Sequence, residues 1–135
     1  MVVKPTSIGR SMPNASLALV ILAAILQAAA TLLLRGGLLA AGGIAFDSSF
    51  WLQLARLSMQ PLFLFGLMFY VAAALVWFTA LSVENVTTSY PVLVGATFVF
   101  VGLGGVLLFH EPLSLFRAFG IGLIVVGIAL LALFP

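Results

Sequence analysis

The sequence predicts an all-α integral membrane protein with four transmembrane helices in one bundle, and three observations carry that prediction. Of its 135 residues, 64% are hydrophobic and only 6% charged, against about 45–50% apolar and about 25% charged in an ordinary soluble domain. Four apolar stretches, Ala15–Leu34, Pro61–Leu81, Tyr90–Phe109 and Leu115–Phe134, each supply close to the about 20 residues that a helix needs to cross a hydrocarbon core about 30 Å thick. The segments between them are too short to hold a soluble domain, and helices satisfy their own backbone groups in lipid.

Residues 1–14 form a polar, proline-containing tail, expected to be flexible or to lie on the surface. The first span covers about 15–39 and is ended by Gly42-Gly43. Lys4 and Arg10 precede it and Ala28–Ala30 supply small residues, as in a secretory signal. Its apolar run exceeds the roughly 7–15 residues of a signal core, which favours a retained span. The next stretch, "FDSSFWLQLARLSM", offers Asp47 or Ser48 as an N-cap, then Phe50, Trp51, Leu54 and Leu57 at helical spacing. Over about 47–58 it reads as an amphipathic interfacial segment with Trp51 as its anchor.

Pro61 opens the second span, about 61–82. Only "SVENVTTS" separates it from the third, about 88–109, and only "HEPLS" separates that from the fourth, about 114–134. Loops this short make consecutive helices antiparallel neighbours. Glycines concentrate in the second half, at Gly95, Gly102, Gly104 and Gly105, then Gly120, Gly122 and Gly127. Small residues let membrane helices approach closely, so the last two helices are expected to carry helix packing or a dimer interface. Lysine and arginine divide almost evenly between the two sides of the membrane, which leaves the orientation open.

Composition also excludes some chemistry. Without cysteine there is no disulfide or thiolate metal site, and one histidine with three acids is little material for a metal cluster. No metal, no cofactor and no dedicated enzyme active site are expected. The five basic residues are scattered and form no nucleic-acid patch.

Polar residues inside the spans form stripes. Gln27, Thr31 and Arg35 follow i, i+4, i+8 spacing, so they drift only about 80° around one helix face. Counted from Ala15, Gln27 lies about 18 Å in, past the midplane, and Arg35 about 12 Å further, where it can snorkel or close a cavity. Tyr70, Trp77 and Glu84 repeat at seven-residue steps on the second span, and Tyr90 and Thr97 do so on the third. Polar groups at such depth face protein or water rather than lipid. Two readings follow: the stripes line one shared cavity, or they make interhelical hydrogen bonds worth about 0.6 kcal/mol each. Glu84 and Glu111 fall at helix ends, Glu111 where a carboxylate favours the dipole of the last helix, with His110 beside it.

The chain resembles the four-helix small multidrug resistance family of the drug/metabolite transporter superfamily over residues 15–134. That family carries Glu-x-x-x-Thr-x-x-x-Lys on its first helix, where this chain has Gln27, Thr31 and Arg35. Its third helix is similar to "TTSYPVLVGATF" and its glycine packing motif to "GIGLIVVGI". The departures bear on function. The amide of Gln27 does not ionise, and Leu93 stands where the family's drug exporters place a tryptophan that stacks on cations.

A closer resemblance is to the EamA-like small subunits proposed to flip aminoarabinose-phosphoundecaprenol, through "TSYPVL" and "LLFHEPLSLFRAFGIGLIVVGIALL". It implies a dimeric flippase of the bacterial cytoplasmic membrane for a polyprenyl-phosphate-linked sugar or similar anionic lipid. The expected substrate-binding set is Gln27, Thr31, Arg35, Tyr70, Trp77, Tyr90, Thr97 and Arg117, with Glu84, His110 and Glu111 as possible coupling groups and Gly120, Gly122 and Gly127 in packing or the dimer interface. The partner is a second copy, possibly antiparallel, or a similar small subunit. A proton-coupled exporter of small cations or polar metabolites, and a non-transporting partner subunit, are the alternatives.

Overall fold

The computed structural model describes residues 13–133; most of the N-terminal tail, with Lys4 and Arg10, and the end of the fourth span lie outside them. Five helices follow in order: α1 Asn14–Ala40, α2 Phe50–Ser58, α3 Pro61–Val83, α4 Val86–Phe109 and α5 Leu115–Leu133. Among the described residues there is no strand. α1, α3, α4 and α5 are each long and apolar enough to cross a membrane, so the chain is a multi-pass all-α membrane protein.

Local chemistry sets the helix ends. α1 stops where Gly42 and Gly43 take φ of 88° and 83°, a backbone conformation that glycine adopts without steric cost. The Gly43 N–H donates to the Leu38 carbonyl at 2.8 Å and satisfies one of the last open acceptors. The cap of α2 differs from the expectation: Ser49 holds the N-cap position, and Asp47 Oδ1 accepts from the Ser49 N–H at 2.8 Å and from the Ser49 hydroxyl at 2.6 Å. These bonds favour the ionised carboxylate and hold Asp47 below the usual aspartate range. Leu57 is the buried residue of α2, while Trp51 is exposed. α4 starts four residues before Tyr90 and carries Pro91 inside it, a position that reads as a helix boundary in sequence but is tolerated in membrane helices.

Chain order and neighbour order differ. α1 lies between α3 and α4, α5 rests mainly on α4, and α3 and α4 scarcely touch although only a two-residue turn joins them. The expectation that consecutive spans are neighbours holds for α1 with α3 and for α4 with α5, and fails for α3 with α4. The reason is the small-residue face of α1: Val20, Ala23 and Ala24 meet Ala80 of α3 and Val92, Leu93 and Ala96 of α4 in one core cluster. An alanine face lets one helix approach two others, and close packing is the main source of helix association in lipid.

The seam between α1 and α3 is the tightest. A Cβ at Gly37 would stand 2.7 Å from the backbone nitrogen of Phe63, and one at Gly66 would stand 2.9 Å from that of Leu34. Each helix offers a glycine to the other's backbone. On α4, Gly104 receives Leu32 of α1, and Gly95 receives Ile128 of α5. The glycines of α5 behave differently: Gly120, Gly122 and Gly127 have no neighbour within 4 Å of the space a Cβ would occupy. No residue of α5 is buried, so these glycines do not pack helices within the chain.

Candidate functional site

Gln27 is the central residue of α1, with thirteen helical residues on each side. The helix bounds agree with the span of about 15–39 read from the sequence, and over that full length Gln27 falls at the middle and not past it. Its side chain has no hydrogen-bond partner among the described residues, and it is partly accessible. An unpaired amide at mid-membrane depth is costly against lipid and favours a cleft that admits polar groups.

Two clefts meet at this residue. The first, about 160 Å³, is lined by Gln27, Tyr70, Ala73, Ala74, Trp77, Tyr90 and Leu93. It is the gap left between α3 and α4, and α1 forms its floor. The Trp77 and Tyr90 rings close one side, with centroids 6.1 Å apart and planes tilted by 54°. Tyr70 and Tyr90 are each about half exposed, so this cleft opens sideways toward the bilayer. The second, about 280 Å³, lies on the other side of Gln27 and is lined by Thr31, Val94, Thr97, Phe98 and Val101.

Within the single chain the striped residues border two clefts. Tyr90 and Thr97, seven residues apart on α4, fall in different clefts, with Gln27 of α1 bordering both. Both threonine hydroxyls donate to the backbone one turn back, Thr31 to Gln27 at 2.9 Å and Thr97 to Leu93 at 2.8 Å. This leaves them as acceptors toward a ligand. Ala73, Ala74, Leu93 and Phe98 complete the walls and were not picked out as site residues. The adjacent alanines beside Tyr70 and Trp77 were the signal for a recess there.

The charged residues stand apart from both clefts. Arg35 Nη2 forms an ion pair with Glu111 Oε1, and the Arg35 guanidinium lies 4.8 Å above the Phe109 ring. Glu111 thus turns back over the end of α4 and does not sit at the start of α5, where the Ser114 hydroxyl instead accepts from the Arg117 N–H at 3.3 Å. His110 takes φ 52° and ψ 35° to end α4, and the Glu111 N–H donates to the Gly105 carbonyl at 3.2 Å. This is a left-handed helix stop, completed by a residue type that tolerates such a backbone. Arg117 lines a third cleft of about 440 Å³ between α4 and α5, which Glu111 also borders. Glu84 follows the last turn of α3 in extended backbone and lines none of these clefts. Among the described residues no group of acids and histidine has metal-binding geometry.

No family model matches the chain, and no solved structure does. Over 79 residues, 58% of this chain and 68% of the relative, it is 34% identical to the uncharacterized protein y4nH of Sinorhizobium fredii (strain NBRC 101917 / NGR234). At that identity and coverage, the chain belongs to the same family as y4nH.

Proposed function

We propose that the protein is a translocase for an amphipathic lipid with a sugar-like polar headgroup and a phosphate, a polyprenyl-phosphate-linked sugar being the class that its sequence resemblance implies. The observation that carries this reading is the unpaired Gln27 amide at the centre of α1, bordering a cleft that opens sideways between α3 and α4. Tyr70, Trp77 and Tyr90 give that cleft aromatic faces and neutral donors, which suit sugar hydroxyls and ring faces better than an isolated ion. A sideways opening lets a headgroup enter while its hydrocarbon tail stays in the bilayer. Arg35, two turns along the same helix face, is the phosphate ligand in this reading.

The functional unit is a dimer in the bacterial cytoplasmic membrane, and its second subunit covers α5. The absence of any buried residue on α5, and its open glycines, support a second copy or a similar small chain at that face. Alternating access then amounts to a rocking of the α1–α3 pair against the α4–α5 pair about the Gln27 site. The same exposed α5 also favours, as a second reading, a subunit that acts only within a larger membrane complex.

The test is transbilayer movement of a short-chain polyprenyl-phosphate sugar in proteoliposomes. Wild type should move it, and Gln27→Ala and Arg35→Ala should each reduce the rate toward that of empty vesicles. No movement above empty vesicles by the purified chain would reject the translocase reading in favour of the subunit one.

A further inference from the structure

Resting on that reading, we propose that Glu111 is an internal anion that occupies Arg35 until a phosphate-bearing ligand displaces it, opening the seam between α1 and the α4–α5 turn. The argument begins with position. The α1–α3 pair and the α4–α5 pair share the α1–α4 contact as their main junction. At one end of that junction the Arg35–Glu111 ion pair ties α1 to the turn after α4, and Phe109 supports the guanidinium from below. Thr31 and Gln27 lie one and two turns away on the same face of α1, at the wall of the second cleft. Arg35 therefore continues, one turn beyond Thr31, the α1 face that carries the polar residues of that cleft.

The pair is built to exchange. Arg35 and Glu111 side chains remain 50% and 30% exposed, so a competing anion reaches the guanidinium without unfolding a helix. Half-exposed ion pairs are weak, whereas phosphate offers a guanidinium a two-pronged contact with more charge. The Glu111 backbone is fixed by its bond to the Gly105 carbonyl, so release needs rotation of the side chain and a small shift of the turn.

The displaced carboxylate also has a place to go. Glu111 borders the α4–α5 cleft together with Arg117, and Arg117 has no ion-pair partner among the described residues. A carboxylate freed near the hydrocarbon edge would otherwise be costly. Passing it from Arg35 to Arg117 keeps each charge paired while the ligand's phosphate takes Arg35. His110, next in the chain, projects from the same turn and is exposed, so it adds no buried charge to this exchange.

The chain has no cysteine, so spin labels at Leu39→Cys and Leu113→Cys, both exposed positions flanking the pair, report the seam without other changes. The full chain is placed in nanodiscs of zwitterionic lipid, and the probes are dodecyl phosphate, inorganic phosphate and the neutral dodecyl maltoside. Dodecyl phosphate should lengthen the label distance and dodecyl maltoside should not. A response to dodecyl phosphate alone assigns the anion to a lipid headgroup, and a response to both phosphates assigns it to the bare anion; either supports the exchange.

Glu111→Gln should show the long distance without ligand and bind dodecyl phosphate up to about fivefold more tightly, the ceiling that a half-exposed ion pair sets. Arg117→Gln should shift the response to higher dodecyl phosphate. If binding depends on Arg35 but is unchanged in Glu111→Gln and leaves the distance fixed, the exchange is wrong and the phosphate role of Arg35 stands. If binding does not depend on Arg35, the phosphate role falls and the exchange with it.

Discussion

The α1–α3 seam and α5 are both rich in glycine, yet the two regions use it in opposite ways. At the seam, Gly37 and Gly66 are filled by the partner helix's backbone, so the two helices run closer than any side chain permits. On α5, Gly120, Gly122 and Gly127 face open space, and no residue is buried. A stripe of small residues is thus a capacity for contact, and what it meets is decided elsewhere in the chain or by another chain.

The largest expected effect tests the seam. Gly37→Ala places a methyl against the Phe63 backbone, which does not yield as a flexible side chain would. It should destabilise the protein by about 1–3 kcal/mol, the usual cost of overpacking, measured as a lower midpoint in detergent-induced unfolding. A variant as stable as wild type would break the comparison from one side.

Gly127→Leu tests the other region. Among the described residues nothing meets a Cβ there, so protomer stability should change by no more than about 0.5 kcal/mol, as for a surface substitution. Association, read by crosslinking or sedimentation in detergent, should weaken by about tenfold, or about 1.4 kcal/mol. Loss of protomer stability with unchanged association would mean that α5 packs inward.

The charged link between the two helix pairs should matter less to stability than the seam does. Glu111→Gln is expected to cost at most about 1 kcal/mol, because the pair is half exposed. Gln27→Leu should leave the unfolding midpoint within about 0.5 kcal/mol of wild type, since the amide has no partner to lose, yet abolish transport. A marked loss of stability in Gln27→Leu would turn the central amide into a packing element and extend the seam to that face.

The smallest effect lies outside the spans, at Asp47. Hydrogen bonds from Ser49 hold its folded-state value below the ordinary one, so its contribution is present above the ordinary aspartate value of about 3.9. It is lost as pH falls through the lowered value. Trp51 fluorescence, recorded in a Trp77→Phe background, should show an acid transition at the start of α2 that is absent in Asp47→Asn.

How much of this was legible in the sequence depends on the kind of information. The helices were, because about 20 apolar residues between short polar turns have one stable solution in lipid. The order of neighbours was not. Nothing in "SVENVTTS" tells that α1 takes the place beside α3 and α4 that their short turn would give to each other. The alanines at 23, 24 and 28 were visible, but a small-residue face does not name its partner. Gln27 stands out in the sequence as an amide in an apolar run, and in the structure it borders two clefts. Their separation was hidden, because a periodic stripe gives the face of one helix and not the packing of a second helix against it. Arg35 and Glu111, distant in sequence, meet only through that packing.

The central place of α1 also bears on assembly. In chain order it comes before the other three spans described, yet its two binding surfaces belong to α3 and α4. While the chain is being inserted, α1 has no seat, and its central glutamine and alanine face meet lipid or the insertion machinery until α3 arrives. Its final contacts are made by a helix already in the membrane receiving later ones, so this protein completes its core only after its last turn but one has been threaded.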